Sequence, residues 1–256
     1  MAPDRRRPRR LLSPGILTLL LLGCLPRGLG AAPAPALPED LETRLALSAL
    51  PPHLRDEATV YRLDPSVGFV PVREGSNGFH ALVARNDPAI YQAPWRHDAW
   101  EDLLIPIAFD AAGAGTVMRA WFDVARYRAE GVAPAEAQRR LRESYESEYV
   151  APPRAGVAYM LGPLVRGYRR PERGPEVVTF SLPHTMIYAP GLTNADVGGG
   201  PTLDYPFVLS EVPGPHNFII VLAGTEERQA VRDAFSDDLA RLCELDARLC
   251  LPEGGP

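Results

Sequence analysis

Short β-prone runs recur along much of the chain, and in Ala58–Leu63 apolar and polar positions alternate with period two. Ala58–Leu63, Val67–Val72 and Phe79–Ala84 are β-prone stretches, separated by Asp64-Pro65-Ser66 and by Arg73-Glu74-Gly75-Ser76-Asn77-Gly78. Three such runs with tight connections predict an antiparallel meander. Leu104–Phe109 predicts a further strand, with a defect at Pro106. The second half returns to the same pattern in Gly156–Leu161, Val177–Leu182, Thr185–Ala189, Phe207–Leu209 and Phe218–Leu222. The last of these is apolar enough to predict a central strand. Residues 166–175 are polar and flanked by Gly and Pro, which predicts a loop.

Helical spacing marks four other segments. From Pro38 to about Leu50, Leu41, Leu45 and Ala49 recur at i, i+4 and i+8, and Pro51-Pro52 stops the run. Thr116–Glu130 carries Met118, Trp121, Phe122 and Ala125 on one face and is closed by Gly131. Ala135 to about Tyr149 has a stripe of Ala137, Leu141 and Tyr145 among paired Glu and Arg residues. A last helix is expected from Glu226 to about Leu242, with Thr225 as its cap. The order is helix, strands, two helices, strands, helix. It predicts an α+β fold: a mostly antiparallel sheet with two central helices and a C-terminal helix, in a single domain over residues 39–256.

Residues 1–30 stand apart and read as a signal peptide. Arg5-Arg6-Arg7-Pro8-Arg9-Arg10 is a basic start, and Ile16–Leu22 is an apolar run too short to anchor a chain across a bilayer. Its end offers two cuts. Leu21-Leu22-Gly23-Cys24 is similar to the lipobox of bacterial lipoproteins, in which the signal ends at residue 23 and the Cys24 thiol takes the lipid. Gly28-Leu29-Gly30 instead suits ordinary signal peptidase, with Ala31 as the new N-terminus. Residues 31–38, Ala-Ala-Pro-Ala-Pro-Ala-Leu-Pro, predict an extended spacer.

Charge narrows the partners. The formal net charge is −5, and it becomes −9 without residues 1–23 or −10 without residues 1–30. A body this acidic argues against nucleic acid. All 27 basic residues are Arg, so a Schiff-base lysine, a P-loop lysine and a Ser–Lys dyad are excluded. Codon bias in a GC-rich genome also accounts for the missing lysine. Cys243 and Cys250 are seven apart; they are expected to form a disulfide if the last helix ends between them, and export favours that outcome.

Candidate chemistry gathers after residue 180. The chain has five histidines but no HExxH, GxSxG or GxGxxG. His184 and His216 each stand at the start of a strand, Asp196 lies in a Gly-rich loop with Asn194, and Glu211 follows a strand. Polar residues at strand ends converge on one rim in an antiparallel sheet. His184, Asp196, Glu211 and His216 are therefore a candidate cluster for a divalent metal or for a His–carboxylate acid/base pair. Tyr159, Tyr188 and Tyr205 are candidates for the walls of a cleft beside it. The plainer reading gives both histidines a structural role, hydrogen-bonded to loop backbone. No cofactor is indicated.

Arg73–Phe79, Gly156–Leu161 and Thr193–Asp196 together resemble a family of exported bacterial proteins of uncharacterised function, over about residues 45–223. The resemblance implies a single exported body and brings no activity with it. The expected function is an exported domain, soluble or lipid-tethered, in the periplasm or secreted. It would bind a small molecule or an envelope protein; a hydrolase using metal or His/carboxylate chemistry is the alternative.

Overall fold

Every residue of Ile105–Phe109 is apolar, and in the computed structural model every one is buried. The structure describes residues 36–88, 100, 103–169, 176–199, 203, 205–210 and 212–252. Among these residues ten strands and six α-helices are assigned. The strands are β1 (Thr59–Asp64), β2 (Gly68–Arg73), β3 (His80–Ala84), β4 (Ile105–Phe109), β5 (Val157–Met160), β6 (Val165–Tyr168), β7 (Val177–Phe180), β8 (His184–Tyr188), β9 (Phe207–Val208) and β10 (Phe218–Leu222). The helices are α1 (Glu39–Ser48), α2 (Ala111–Ala114), α3 (Met118–Ala129), α4 (Pro134–Ser147), α5 (Thr225–Ala234) and α6 (Ser236–Leu245). Eight strands form one sheet in the order β2-β1-β3-β4-β5-β8-β10-β9, and β6 pairs with β7 in a second. The fold is mixed α+β, and the large sheet is mostly antiparallel, as the pattern of elements predicts.

The first three strands are not a meander. β1 pairs antiparallel with β2, but β3 lies on the other side of β1 and runs parallel to it, with Thr59 opposite His80. The reason is the route taken by residues 74–79. The Glu57 carbonyl accepts the Ser76 and Asn77 amides, so the chain passes close against the start of β1. Gly75 permits the pass, since a Cβ there would come 2.2 Å from the Glu57 carbonyl oxygen. Hydrophobic alternation locates strands but does not choose their neighbours.

Strand alternation sorts the core onto two faces. On one face Val60, Ala81, Val83, Leu104 and Ala108 meet Leu41 and Leu45 of α1 and Leu242 of α6. On the other, Leu82, Ile105, Ile107 and Phe109 meet Met118 and Trp121 of α3. Phe122 of α3 also packs edge-on against Tyr61 of β1. Helix α3 comes so close to β2 that a Cβ on Gly68, whose φ is +98°, would meet the Arg126 backbone nitrogen at 3.3 Å. Helix α4 packs beneath α3 through Ala137 and Leu141, on the expected stripe.

Four further expectations are corrected. Residues 165–168, placed partly in a loop by their polarity, form β6, whose register sets Arg166 opposite Thr179. β10 is not central: it is the second strand from the edge, beside the two-residue β9. The single C-terminal helix is two, α5 and α6, broken at Phe235, which is buried and has Arg55 over its ring at 5.0 Å. Thr225 is the first residue of α5 rather than its cap, a position held by Gly224. Burial of the Phe235 ring fixes the break, and sequence periodicity does not report it.

Candidate functional site

Antiparallel pairing of β8 with β10 places His184 and His216 at opposite ends of one ladder. His184 is opposite Leu222, while Tyr188 is opposite Phe218, two residues after His216. Four residues of strand separate the two ends by roughly 14 Å. Nitrogens sharing one ion stand about 2 Å from it. The two imidazoles therefore do not share a metal, which corrects the expected cluster. Among the described residues, no group of three or more His, Cys, Asp or Glu is placed to hold a metal ion. Glu211 and Cys24 lie outside the described residues, as does His97.

Each remaining member has a local partner. His184 is buried, and its Nδ1 lies 2.6 Å from the Leu182 carbonyl; burial pushes its pKa down. Asp196 is held by the Thr193 amide at 2.7 Å and the Thr193 hydroxyl at 2.8 Å. Those two donors hold its carboxyl below the usual carboxylate range. Ser210 bonds the Val212 backbone, and the buried Ser181 hydroxyl has no hydrogen-bond partner among the described residues. Neither serine is hydrogen-bonded to a histidine ring. Of the three tyrosines expected to wall a cleft, Tyr188 is buried, Tyr159 packs against Phe79 in the core, and Tyr205 is 77% exposed.

What the rim at the His216 end does contain is a tightly tied set of backbone segments. The His216 ring stacks on Tyr149 with centroids 5.2 Å apart and meets Tyr145 edge-on at 5.3 Å. Its Nε2 lies 3.2 Å from the Val150 carbonyl, which makes Nε2 the protonated nitrogen. Burial pushes the ring pKa down to about 4. Asn217 is 4% exposed, and its amide donates to the Leu192 carbonyl at 2.7 Å and the Val212 carbonyl at 2.9 Å. These neighbouring side chains thus hold together the ends of three segments, at 150, 192 and 212.

A search for relatives adds no guide to this rim. Scanned against models of protein families, and compared with curated proteins and with solved structures, the chain matches none.

The tied segments carry apolar side chains outward. Val150, Leu192, Leu203, Tyr205, Leu209 and Val212 are all exposed. Five of the six fall within 192–212. Beside them, Asn194 Oδ1 accepts the Val208 amide at 3.3 Å, which closes part of the free edge of β9. Gly199 makes room for that side chain, since a Cβ there would meet it at 1.9 Å.

Asp110 and Tyr188 underlie the same end of the sheet. Asp110, buried at the end of β4, accepts the Gly113 amide at 2.9 Å and the Tyr188 hydroxyl at 3.1 Å. Burial and this carboxylate push the Tyr188 hydroxyl pKa up. A tyrosine so shifted holds its proton, and the pair is a lock rather than an acid. Sequence reasoning passed over Asp110 and Asn217. The first has a readable signal, an Asp three residues before the Gly whose amide it caps. The second stands beside His216 and is recognised only through the carbonyls it reaches.

One cavity is lined by Leu63, Phe69, Ala84, Arg85, Asn86, Trp121, Ala125 and Arg128. It holds about 10 Å³, room for roughly one water molecule. A small-molecule site of ordinary size is hundreds of Å³.

Proposed function

We propose that the chain is an exported binding domain, a single α+β body over residues 39–256, that docks a protein partner through the apolar rim around residues 192–212. One observation carries this reading. Large apolar side chains stand exposed on segments whose backbones are pinned by the buried His216 and Asn217. Exposed apolar patches on rigid supports mark interaction surfaces. The separation of His184 from His216 along the β8–β10 ladder favours docking over a hydrolase built on that pair.

Export rests on other grounds. The basic and apolar start, the Cys24 lipobox and the Gly28–Gly30 cut all belong to the first thirty residues. The Cys243–Cys250 disulfide supports an oxidising compartment, the periplasm or the outside of the cell. Among the described residues no helix is long and apolar enough to cross a membrane. Attachment would then come from a lipid on Cys24. The resemblance to exported bacterial proteins points the same way.

The full chain expressed in a bacterial host tests both halves. Fractionation and intact mass should find it in the envelope, beginning at lipidated Cys24 or at Ala31. Met1 retained on folded cytosolic protein would end the export reading. A photo-crosslinking residue at Tyr205 should give a protein adduct in living cells, and one at Val67 should not. No adduct from Tyr205 would end the docking reading.

A further inference from the structure

The charges around the exposed rim say what kind of partner fits it. Between Arg173 and Arg228 the chain holds no Arg or Lys, while residues 192–212 include Asp196, Asp204 and Glu211. The Asp196 carboxylate is exposed and fixed by Thr193. Two arginines near this end of the sheet face carboxylates of their own. Arg154 faces Asp110 at 3.7 Å, and Arg119 pairs with Glu148 at 2.9 Å. The rim is therefore apolar with negative charge in its own segment. Across an interface, like charges set against each other oppose binding, whereas opposite charges steer association.

Resting on the docking reading above, we infer that the partner is a protein segment presenting apolar side chains among arginines or lysines. Leu192, Tyr205, Leu209 and Val212 contact its apolar positions, and Asp196 contacts its basic ones. A second copy of this chain would set this acidic segment, with its exposed Asp196, against itself. An anionic lipid surface meets the same repulsion. The partner also meets side chains rather than adding a strand to β9. That strand has only two residues, and Asn194 already occupies the Val208 amide.

The test uses the mature chain with its disulfide intact and two synthetic helical peptides. Both carry leucines at i, i+3, i+4 and i+7; the remaining positions are lysine in one and glutamate in the other. The lysine peptide should bind, and its affinity should fall about tenfold between low and roughly 0.5 M salt as the charges are screened. The triple change Tyr205→Ser, Leu209→Ser, Val212→Ser should weaken binding by about tenfold or more, as loss of central apolar anchors does. Asp196→Asn should weaken it by about threefold, the effect of one exposed charge pair. Val67→Ser, on the β1–β2 turn, should leave it unchanged. Equal binding of the glutamate peptide overturns the inference. So does capture by vesicles of phosphatidylglycerol, a dimer that the triple change dissolves, or equal weakening by Val67→Ser. If the Tyr205 adduct forms in cells but the lysine peptide does not bind, this inference fails and the docking reading stands. If neither occurs, both fail.

Discussion

The Tyr188 hydroxyl stands 3.1 Å from Asp110 Oδ1 and 3.0 Å from the Val157 carbonyl, joining β8, β4 and β5 at one end of the sheet. Its single proton serves one acceptor at a time, while Asp110 Oδ1 keeps the Gly113 amide as a second donor. Tyr188→Phe should therefore cost about 1–2 kcal/mol, the loss of one buried hydrogen bond that leaves part of the network satisfied. Gly113 is bound into the same arrangement, because a Cβ there would lie 1.8 Å from the Tyr188 hydroxyl. Gly113→Ala should cost about 1–3 kcal/mol through overpacking. Joined with Tyr188→Phe it should cost less than the two separately, since part of the clash and the bond at risk are already gone. Urea midpoints of the three variants measure this. Strict additivity would show that the two residues do not act on each other.

His216 gives stability a pH dependence of known sign. Its folded pKa is lowered by burial to about 4, against an ordinary value of 6.5. Between those values the unfolded chain binds a proton that the folded chain does not. The neutral ring's stability is thus complete above about pH 6.5 and is lost as pH falls toward 4. The full difference is on the order of 3 kcal/mol. The faces packed against the ring are Tyr145 and Tyr149, with the Val150 carbonyl at Nε2. None of these is an anion that would compensate a positive ring. His216→Phe should lower stability at pH 7 by about 1 kcal/mol, through the lost hydrogen bond. Its stability should also fall less steeply than that of the unaltered protein between pH 6.5 and 4. Superimposable pH profiles in denaturant melts would show that His216 does not titrate as described.

How far the sequence reaches is clear from particular residues. Leu41 and Leu45 predict the buried face of α1, and Ala137 and Leu141 that of α4, because both helices bury a periodic stripe. Periodicity fails where a single long-range contact decides. The tight pass at Gly75 sends β3 to the far side of β1, and Phe235 splits the last helix. The rim shows the same division. His216 is marked in sequence as a polar residue opening an apolar strand. Its partners Tyr149 and Val150 lie more than sixty residues away, and no local pattern links them. His184 has the same sequence signature and ends at the opposite end of the ladder, because register, not residue type, sets which end a strand presents.

Burial also separates ion pairs that resemble one another in sequence. Arg44 Nε and Nη2 both approach Asp238 Oδ2, at 3.0 and 2.9 Å, and the Asp238 side chain is only 2% exposed. Arg139 engages Glu136 and Glu143 on the open face of α4, where all three side chains are solvated. Arg44→Met should cost about 1–3 kcal/mol because it strips a buried carboxylate of its main donor, with half-exposure of the arginine moderating the loss. Arg139→Met should cost less than about 1 kcal/mol. Thermal melts in low and high salt compare the two. An equal cost for both would mean that the Asp238 carboxylate is reached by water in solution.

The disulfide ties the turn after α6 back to that helix, and this turn bonds the small sheet. Cys243 lies in α6 and Cys250 directly follows the 3₁₀ turn Ala247–Leu249. Leu249 of that turn is buried in the core beside Leu242. The Arg248 carbonyl accepts the Thr179 hydroxyl of β7 at 2.5 Å and Arg166 of β6 at 3.2 Å. Closing so short a loop contributes about 2.5 kcal/mol in the chain-entropy account. The paired change Cys243→Ser, Cys250→Ser should then lower the midpoint of thermal unfolding by roughly 5–10 °C for a chain of this size. The effect should also be local. Hydrogen exchange should speed up at Val177–Phe180 and Val165–Tyr168, which lose an anchored turn, while Leu82 and Ile107 at the centre of the large sheet keep their protection. Uniform loss of protection across both sheets would show that the bond stabilises the whole body and does not specifically hold the turn against β6 and β7.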